Sequence, residues 1–340
     1  MNTFGRFFRF TTFGESHGKA LGVVVDGCPA GIEFSEKDMM PLLERRRPGL
    51  SPLSTPRSES DTPEILSGVF EGVTTGMPVA MIVRNRDARS GDYESAKELF
   101  RPGHADYTYH AKYGIRDYRG GGRSSGRETV SRVMAGALAM KMLSGRGMSF
   151  ESRIVSVHGI SDPELFEEEI LSAKSAGNSV GGVVEVTVKG CPAGVGDPVF
   201  GRLDAALSGA MISIGAVKGV EIGDGFSSAD VYGTENNDLM AADGAGNPVF
   251  LSNHAGGILG GISTGEDIVI RIAVKPTPSV SSEQRTVDIY GSNRLISTGG
   301  RHDPCIVPRI TVVAEAMAAV VIADSYLSMR AYGSFEGSEK

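Results

Sequence analysis

Val23 to Ile32 reads VVVDGCPAGI, and Val186 to Val195 reads VTVKGCPAGV. Each begins with a run of β-branched residues, the mark of a strand. Each then turns at Gly-Cys-Pro-Ala-Gly, where proline fixes φ and glycine relaxes it, and a helical pattern follows. A second pair lies further along: Gly68 to Val83 (GVFEGVTTGMPVAMIV) resembles Gly257 to Ile272 (GILGGISTGEDIVIRI), with glycines matching at 68/257, 72/261 and 76/265. A third pair closes each half. Arg123-Ser124-Ser125-Gly126-Arg127 runs into a helix predicted over Glu128 to Leu143, and Arg301-His302-Asp303-Pro304 runs toward one predicted over Arg309 to Ala323. The three pairs fall in the same order. The spacing between partners varies, as in a duplication that has diverged and taken insertions.

The repeat predicts an α+β fold with internal pseudo-two-fold duplication, helices laid on sheets and the two closing loops converging. It places one domain over residues 1–325, made of two intertwined halves of about 1–150 and 151–325, and a polar C-terminal tail over 326–340. Ligands favour such junctions and the free N–H groups of helix N-termini, so the loops around Arg123 and Arg301 are the first candidate anion site.

Hydrophobic residues make up 40% of the 340-residue chain and charged residues 22%, which supplies a core and argues against disorder. No stretch of about 18 apolar residues is evident, and arginines, a glycine and threonines interrupt Phe4 to Phe13, so neither a spanning helix nor a secretion signal is expected and the chain reads as cytoplasmic. Cys28, Cys191 and Cys305 are too few and too far apart for a disulfide framework or a zinc site, and no metal is required. The formal charge of −7 argues against bulk affinity for nucleic acid. Yet from Arg45 to Arg132 there are thirteen arginines and only two lysines. A guanidinium grips carboxylate or phosphate oxygens through paired hydrogen bonds, whereas lysine offers a point charge, so a small polyanion is the expected ligand. Ser35 to Arg47 carries helix start and stop signals before Pro48-Gly49. Arg45-Arg46-Arg47 in its last turn also has a purely structural explanation, the helix dipole.

Three of the six histidines sit in loops rich in Gly, Ser or Arg: His17 in FGESHG, His104 in RPGHADYTY and His302 in GRHDP. Histidine titrates near neutral pH and is the commonest general acid or base, although any one of these could equally be a hydrogen-bonded structural residue. Asp303 is a carboxylate held ionised by Arg301, or a turn former. Gly120-Gly121-Gly122-Arg123-Ser124-Ser125 has the make-up of a phosphate cradle but neither the lysine of a P-loop nor the spacing of a dinucleotide fingerprint. The serine of Gly14-Glu15-Ser16-His17-Gly18 is misplaced for a hydrolase elbow. These residues define an enzyme class without a reaction.

FGESHG, RRRPG, SGVFEGVTTG, FRPGHADYTY, DYRGGGRSSGRET, AVKGVEIGDGF, NHAGGILGGISTG, KPTPS and GRHDPC, in this order from Phe13 to Cys305, resemble the chorismate synthase family. The resemblance implies a homotetramer of β-α-β sandwich subunits. The implied reaction is anti-1,4-elimination of the 3-phosphate and a C6 hydrogen from 5-enolpyruvylshikimate 3-phosphate, with reduced FMN required and no net redox change. Carried onto this sequence, the catalytic residues are His17, His104 and Asp303. One histidine acts toward the reduced flavin, while His104 protonates the departing phosphate and Asp303 relays a proton near the flavin. FMN contacts fall on Arg123, Ser124, Ser125, Gly215, Ala216, Gly260, Lys275, Pro276, Thr277, Pro278, Ser279 and Arg301. Substrate anions fall to Arg46, Arg47, Arg57 and Arg127. Pro52 stands where many relatives have an arginine, so that anion contact is either absent or supplied by Arg57. The flavin is expected to be reduced outside the chain, by a separate reductase or electron donor with NADP as the associated nucleotide. Neither nucleic acid nor membrane is an expected partner. Two other readings remain open here: a flavin reductase, and an RNA-binding module using the arginines with the Tyr107 to Tyr118 aromatics.

Overall fold

A computed structural model of the chain describes residues 1–47, 61–85, 97–298 and 302–332. One antiparallel sheet holds β1 (Thr3–Phe4), β2 (Arg9–Gly14), β3 (Ala20–Asp26), β4 (Pro63–Ser67) and β5 (Val79–Arg84), in the order β1-β2-β3-β5-β4. A second, also antiparallel, holds β6 (Ser149–Val157), β7 (Gly182–Lys189), β8 (Val217–Ile222) and β9 (Ile268–Val274), in the order β6-β7-β9-β8. With β2 matched to β6, β3 to β7, β4 to β8 and β5 to β9, the two orders are identical.

The paired motifs sit at equivalent places and make equivalent bonds. In the first half the Thr74 hydroxyl donates to the Pro29 carbonyl at 2.7 Å and accepts from the Ile32 N–H at 3.0 Å. In the second, the Ser263 hydroxyl donates to the Pro192 carbonyl at 2.6 Å and accepts from the Val195 N–H at 2.8 Å. In each Cys-Pro-Ala-Gly turn the hydroxyl thus satisfies one backbone carbonyl and one backbone N–H. The cysteines of both turns are buried, and burial pushes the Cys28 thiol up to about 12 and the Cys191 thiol up to about 11.

The principal helices are α1 (Glu36–Arg46), α2 (Asp106–Tyr113), α3 (Thr129–Ser144), α4 (Phe166–Ser175), α5 (Leu203–Ile212) and α6 (Val307–Tyr332). Helix α1 starts at Ser35, whose N–H and hydroxyl both donate to Asp38, at 2.8 and 3.1 Å. Helix α3 packs on β2, β3 and β5, and α6 packs on β6 and β7, while α3 and α6 pack on each other. The result is sheet, helices, sheet, with the core on both faces of the helical layer.

Two expectations need correction. Helix α6 runs on through Tyr326 to Tyr332, so a polar tail does not begin at 326. The same helix is long and apolar enough to cross a membrane by length and composition, with a mean hydropathy of 1.7 over 18 residues, although the sequence reading saw no such stretch. Its hydropathy follows from its central position, since 78% of that window is buried. Near its end, the Asp324 carboxylate accepts the N–H groups of Arg6, Phe7 and Phe8, tying the helix to the turn between β1 and β2.

The α3–α6 crossing depends on Gly136. A Cβ there would lie 2.3 Å from the Ala316 Cβ and 2.5 Å from its Cα. Gly136→Ala should therefore destabilise the fold by roughly 1–3 kcal/mol, although alanine is the better helix former. Gly209→Ala on α5, where a Cβ meets nothing within 4 Å, should match or exceed the wild type in the same denaturant titration. Equal stability of the two variants would remove the close crossing from the account.

Candidate active site

The loops that enter α3 and α6 open on a common cavity of about 1250 Å³, lined also by Arg46, Gly103 to Ala105, Ser213 to Ala216, and Lys275 with Thr277 to Ser279. Single-ligand sites commonly measure about 300–1,000 Å³, so there is room for two small molecules.

A turn of three consecutive left-handed glycines stands between two of the histidines. Gly120, Gly121 and Gly122 have φ of +63°, +84° and +53°, which side chains rarely adopt. A Cβ on Gly120 would come within 2.4 Å of the His17 ring, and one on Gly121 within 2.9 Å of the His104 ring. The turn carrying His17 is held by Asn85, whose amide donates to the carbonyls of Glu15 and Gly18 at 3.1 and 2.9 Å and whose Oδ1 accepts from Arg127 Nε at 3.2 Å. His104 lines the cavity and is largely buried, and burial, reinforced by the Arg101 charge, pushes its pKa below the ordinary histidine value despite Asp106 beside it.

The arginines expected to bind anions come from separate elements. Arg46 on α1 and Arg127 before α3 both donate to the Asp61 carboxylate, and all three side chains are buried. Burial alone would raise the Asp61 pKa, but the two guanidiniums hold it below the usual carboxylate range. Arg46 Nε and Nη1 are buried with no hydrogen-bond partner among the described residues, a state that costs free energy until an acceptor arrives. Asp303 accepts from Arg309 at the start of α6, and Arg309 Nε donates to the Arg46 carbonyl at 2.8 Å. Three guanidiniums and two carboxylates are thus linked through one wall, with a surplus of positive charge.

The opposite side is milder. Arg123 donates to Thr12 Oγ1 at 2.6 Å and the Gly14 carbonyl at 3.3 Å, and the Ser124 hydroxyl donates to the Gly121 carbonyl at 2.7 Å. Lys275 Nζ donates to the Gly103 carbonyl at 2.6 Å. Thr277 Oγ1 is buried without a partner among the described residues. Ala216, with φ of +76°, is kept in place as Arg132 donates to the hydroxyl and carbonyl of Ser213 at 2.7 and 3.1 Å. Two cations, hydroxyls and an unsatisfied Thr277 fit a phosphate-bearing, polar-edged group such as a flavin mononucleotide.

The family model for chorismate synthase matches residues 8–327. The chain belongs to the chorismate synthase family. A relative named chorismate synthase from Syntrophobacter fumaroxidans is 52% identical, covering 96% of this chain and 97% of its own. One from Methanosarcina mazei is 54% identical over 96% of each. A crystal structure of a chorismate synthase shares 33% identity with a TM-score of 0.77, over 96% of this chain and 93% of that one. Family membership makes this chain a lyase of the shikimate route to aromatic amino acids and implies a flavin cofactor.

Of the residues expected at the family's site, His104, Asp303, Arg46, Arg127, Arg123, Ser124, Ser125, Gly215, Ala216, Lys275, Thr277, Pro278 and Ser279 line the cavity. His17 stands behind the glycine turn. Gly260 lies in the Ile258–Ser263 hairpin and, like Arg47 and Pro276, is not in the cavity wall. Arg47 is the C-terminal cap of α1, one helical step beyond the residue that points inward. Arg57, Arg301 and Pro52 lie outside the described residues. Sequence reasoning missed Asp61, Arg309 and the pair Arg101–Asp106. Arg309 had a signal, as the first charge in the apolar run from Cys305 to Val313; Asp61 had none.

Gly121→Ala should lower turnover by displacing His104. Gly147→Ala, at φ of +81° with nothing within 4 Å of its Cβ, carries the backbone strain alone and should keep near-normal turnover. Assaying both variants separates strain from displacement.

Proposed function

We propose that this chain converts 5-enolpyruvylshikimate 3-phosphate to chorismate and phosphate by anti-1,4-elimination, with reduced FMN as the cofactor. The observation that carries the reading is a cavity lined together by Arg46, Arg127, His104 and Asp303, with Arg123, Lys275 and Thr277. Reduced FMN, when bound, supplies electron density that assists C–O cleavage and a place for the C6 proton. The residues of the chain do the rest.

Arg46 and Arg127, with Arg57, hold the carboxylates and phosphate of the substrate. The idle donors of Arg46 support that role. His104 gives a proton to the leaving phosphate. The ring's lowered pKa in the free protein is no obstacle, because a phosphate dianion nearby favours the imidazolium. Asp303, paired with Arg309, relays the C6 proton, and His17 acts toward the flavin. Arg123, Ser124, Ser125, Lys275, Thr277 and Ser279 hold the cofactor, with Gly215, Ala216, Pro278 and Arg301 completing its contacts.

The proposal includes reduction of FMN outside the chain, a cytoplasmic setting, one domain of two intertwined halves, and a homotetramer. Exposed Phe200, Phe226, Tyr232 and Leu251 are the type of apolar surface that a further copy covers. A flavin reductase is the weaker reading, since it has no use for a dense arginine wall.

Anaerobic assay with reduced FMN and 5-enolpyruvylshikimate 3-phosphate should yield chorismate and phosphate in equal amounts, and none from well-folded protein would sink the proposal. His104→Ala should lower turnover by roughly 10²- to 10⁴-fold with FMN binding largely intact. Asp303→Ala should slow C6 proton loss more than it weakens binding, so a variant changed in affinity alone would take Asp303 out of the relay.

A further inference from the structure

His104 Nδ1 lies 3.0 Å from Arg101 Nη2 and 3.1 Å from Asp106 Oδ1. The first can only donate and the second only accept, so the proton on Nδ1 must be settled between them. Arg101 is already engaged: its Nε donates to Asp106 Oδ2 at 2.7 Å, its Nη2 to Oδ1 at 3.1 Å and its backbone N–H to Oδ2 at 3.2 Å. Arg116 Nη1 adds a donor at 3.2 Å, while its Nη2 donates to the carbonyls of Lys97 and Leu99. Asp106 is buried at the first position of α2, where the helix dipole also favours an anion. The Cε1–Nε2 edge of the imidazole lies against Gly121, which with His104 lines the cavity. A Cβ on Gly121 would lie 2.9 Å from Cε1 and 3.1 Å from Nε2.

We propose that Asp106 is the positioning residue for His104, taking the Nδ1–H so that Nε2 is the nitrogen that passes a proton to the substrate. This rests on the acid role given to His104 above. An imidazole able to give up the Nε2 proton is a cation with hydrogen on both nitrogens, and after the transfer it remains neutral with hydrogen on Nδ1. In both states Asp106 is the acceptor within reach, and the ring need not turn. The opposite tautomer, with Arg101 donating to Nδ1, leaves a neutral ring whose Nε2–H is not an acid near neutral pH. Four charged groups surround the ring: Arg101 and Lys275 oppose its protonation, Asp106 favours it, and Arg116 acts through Asp106. The same order of parts, carboxylate, then imidazole Nδ1, then a reacting Nε2, orients histidines in unrelated folds.

Asp106→Asn removes the charge and keeps the shape. Turnover should fall by roughly 10²-fold with KM little changed. The alkaline limb of the kcat profile should move to lower pH, because the imidazolium loses its anionic partner and the protonated form runs out sooner. FMN affinity, read by flavin fluorescence, should stay the same. Independently of activity, ¹⁵N-histidine spectra above the ring's titration should show Nδ1–H for His104 in the unsubstituted protein, with the signal assigned by its loss in His104→Asn. An Nε2–H tautomer, or a folded Asp106→Asn protein with unaltered kcat and alkaline limb, would overturn the proposal. If Asp106→Asn fails to fold, the tautomer of the unsubstituted protein decides. Failure of the acid role itself would appear differently, as His104→Ala with normal turnover whatever the tautomer.

Discussion

The close crossing of α3 and α6 is the constraint on which the rest of the molecule depends. Gly136 lets the backbone of one helix meet Ala316 of the other, and each helix is roofed by its own sheet. Because the helices are fixed at their crossing, so are their N-terminal ends. Arg127 enters α3, whereas Asp303 precedes α6 and Arg309 lies in its first turn. Apolar packing at the centre thereby determines which charges meet about one cavity.

Those charges form a chain of partners rather than isolated pairs. Asp61 bridges Arg46 and Arg127, Arg309 reaches both Asp303 and the Arg46 carbonyl, and Asn85 ties Arg127 to the turn bearing His17. Breaking a buried pair by removing one partner commonly costs about 3–5 kcal/mol, so the carboxylates keep the arginines tolerable without cancelling them. Arg46 retains two donors without a partner among the described residues, so the wall keeps a surplus of positive charge.

Much of this was legible in the sequence, for identifiable reasons. The Gly-Cys-Pro-Ala-Gly turns are local motifs, so their recurrence exposed the internal duplication, and the GGGRSS run stood out as the make-up of a phosphate cradle. Long-range partners were harder. Asp61 is distant in sequence from Arg127 and has no local pattern, and nothing in the RPGHADYTY run marked Asp106 apart from its neighbours. Arg45, Arg46 and Arg47 read as one cluster, yet successive helical positions diverge: Arg45 pairs with buried Glu315, Arg46 enters the site and Arg47 caps the helix. The apolar run in α6 was underestimated because Arg309, Glu315 and Asp324 punctuate it, each with a specific partner in the fold.

The twin hydroxyl latches, Thr74 on Pro29 and Ser263 on Pro192, have a consequence for how such a molecule can change. The scaffold exists in duplicate, but its tools do not: one half closes on a glycine turn and guanidiniums, the other on a histidine and a carboxylate. Redundancy in the frame has permitted division of labour in the loops. A change in a latch is felt within one half, while a change in either closing loop is felt at a workplace that both halves share.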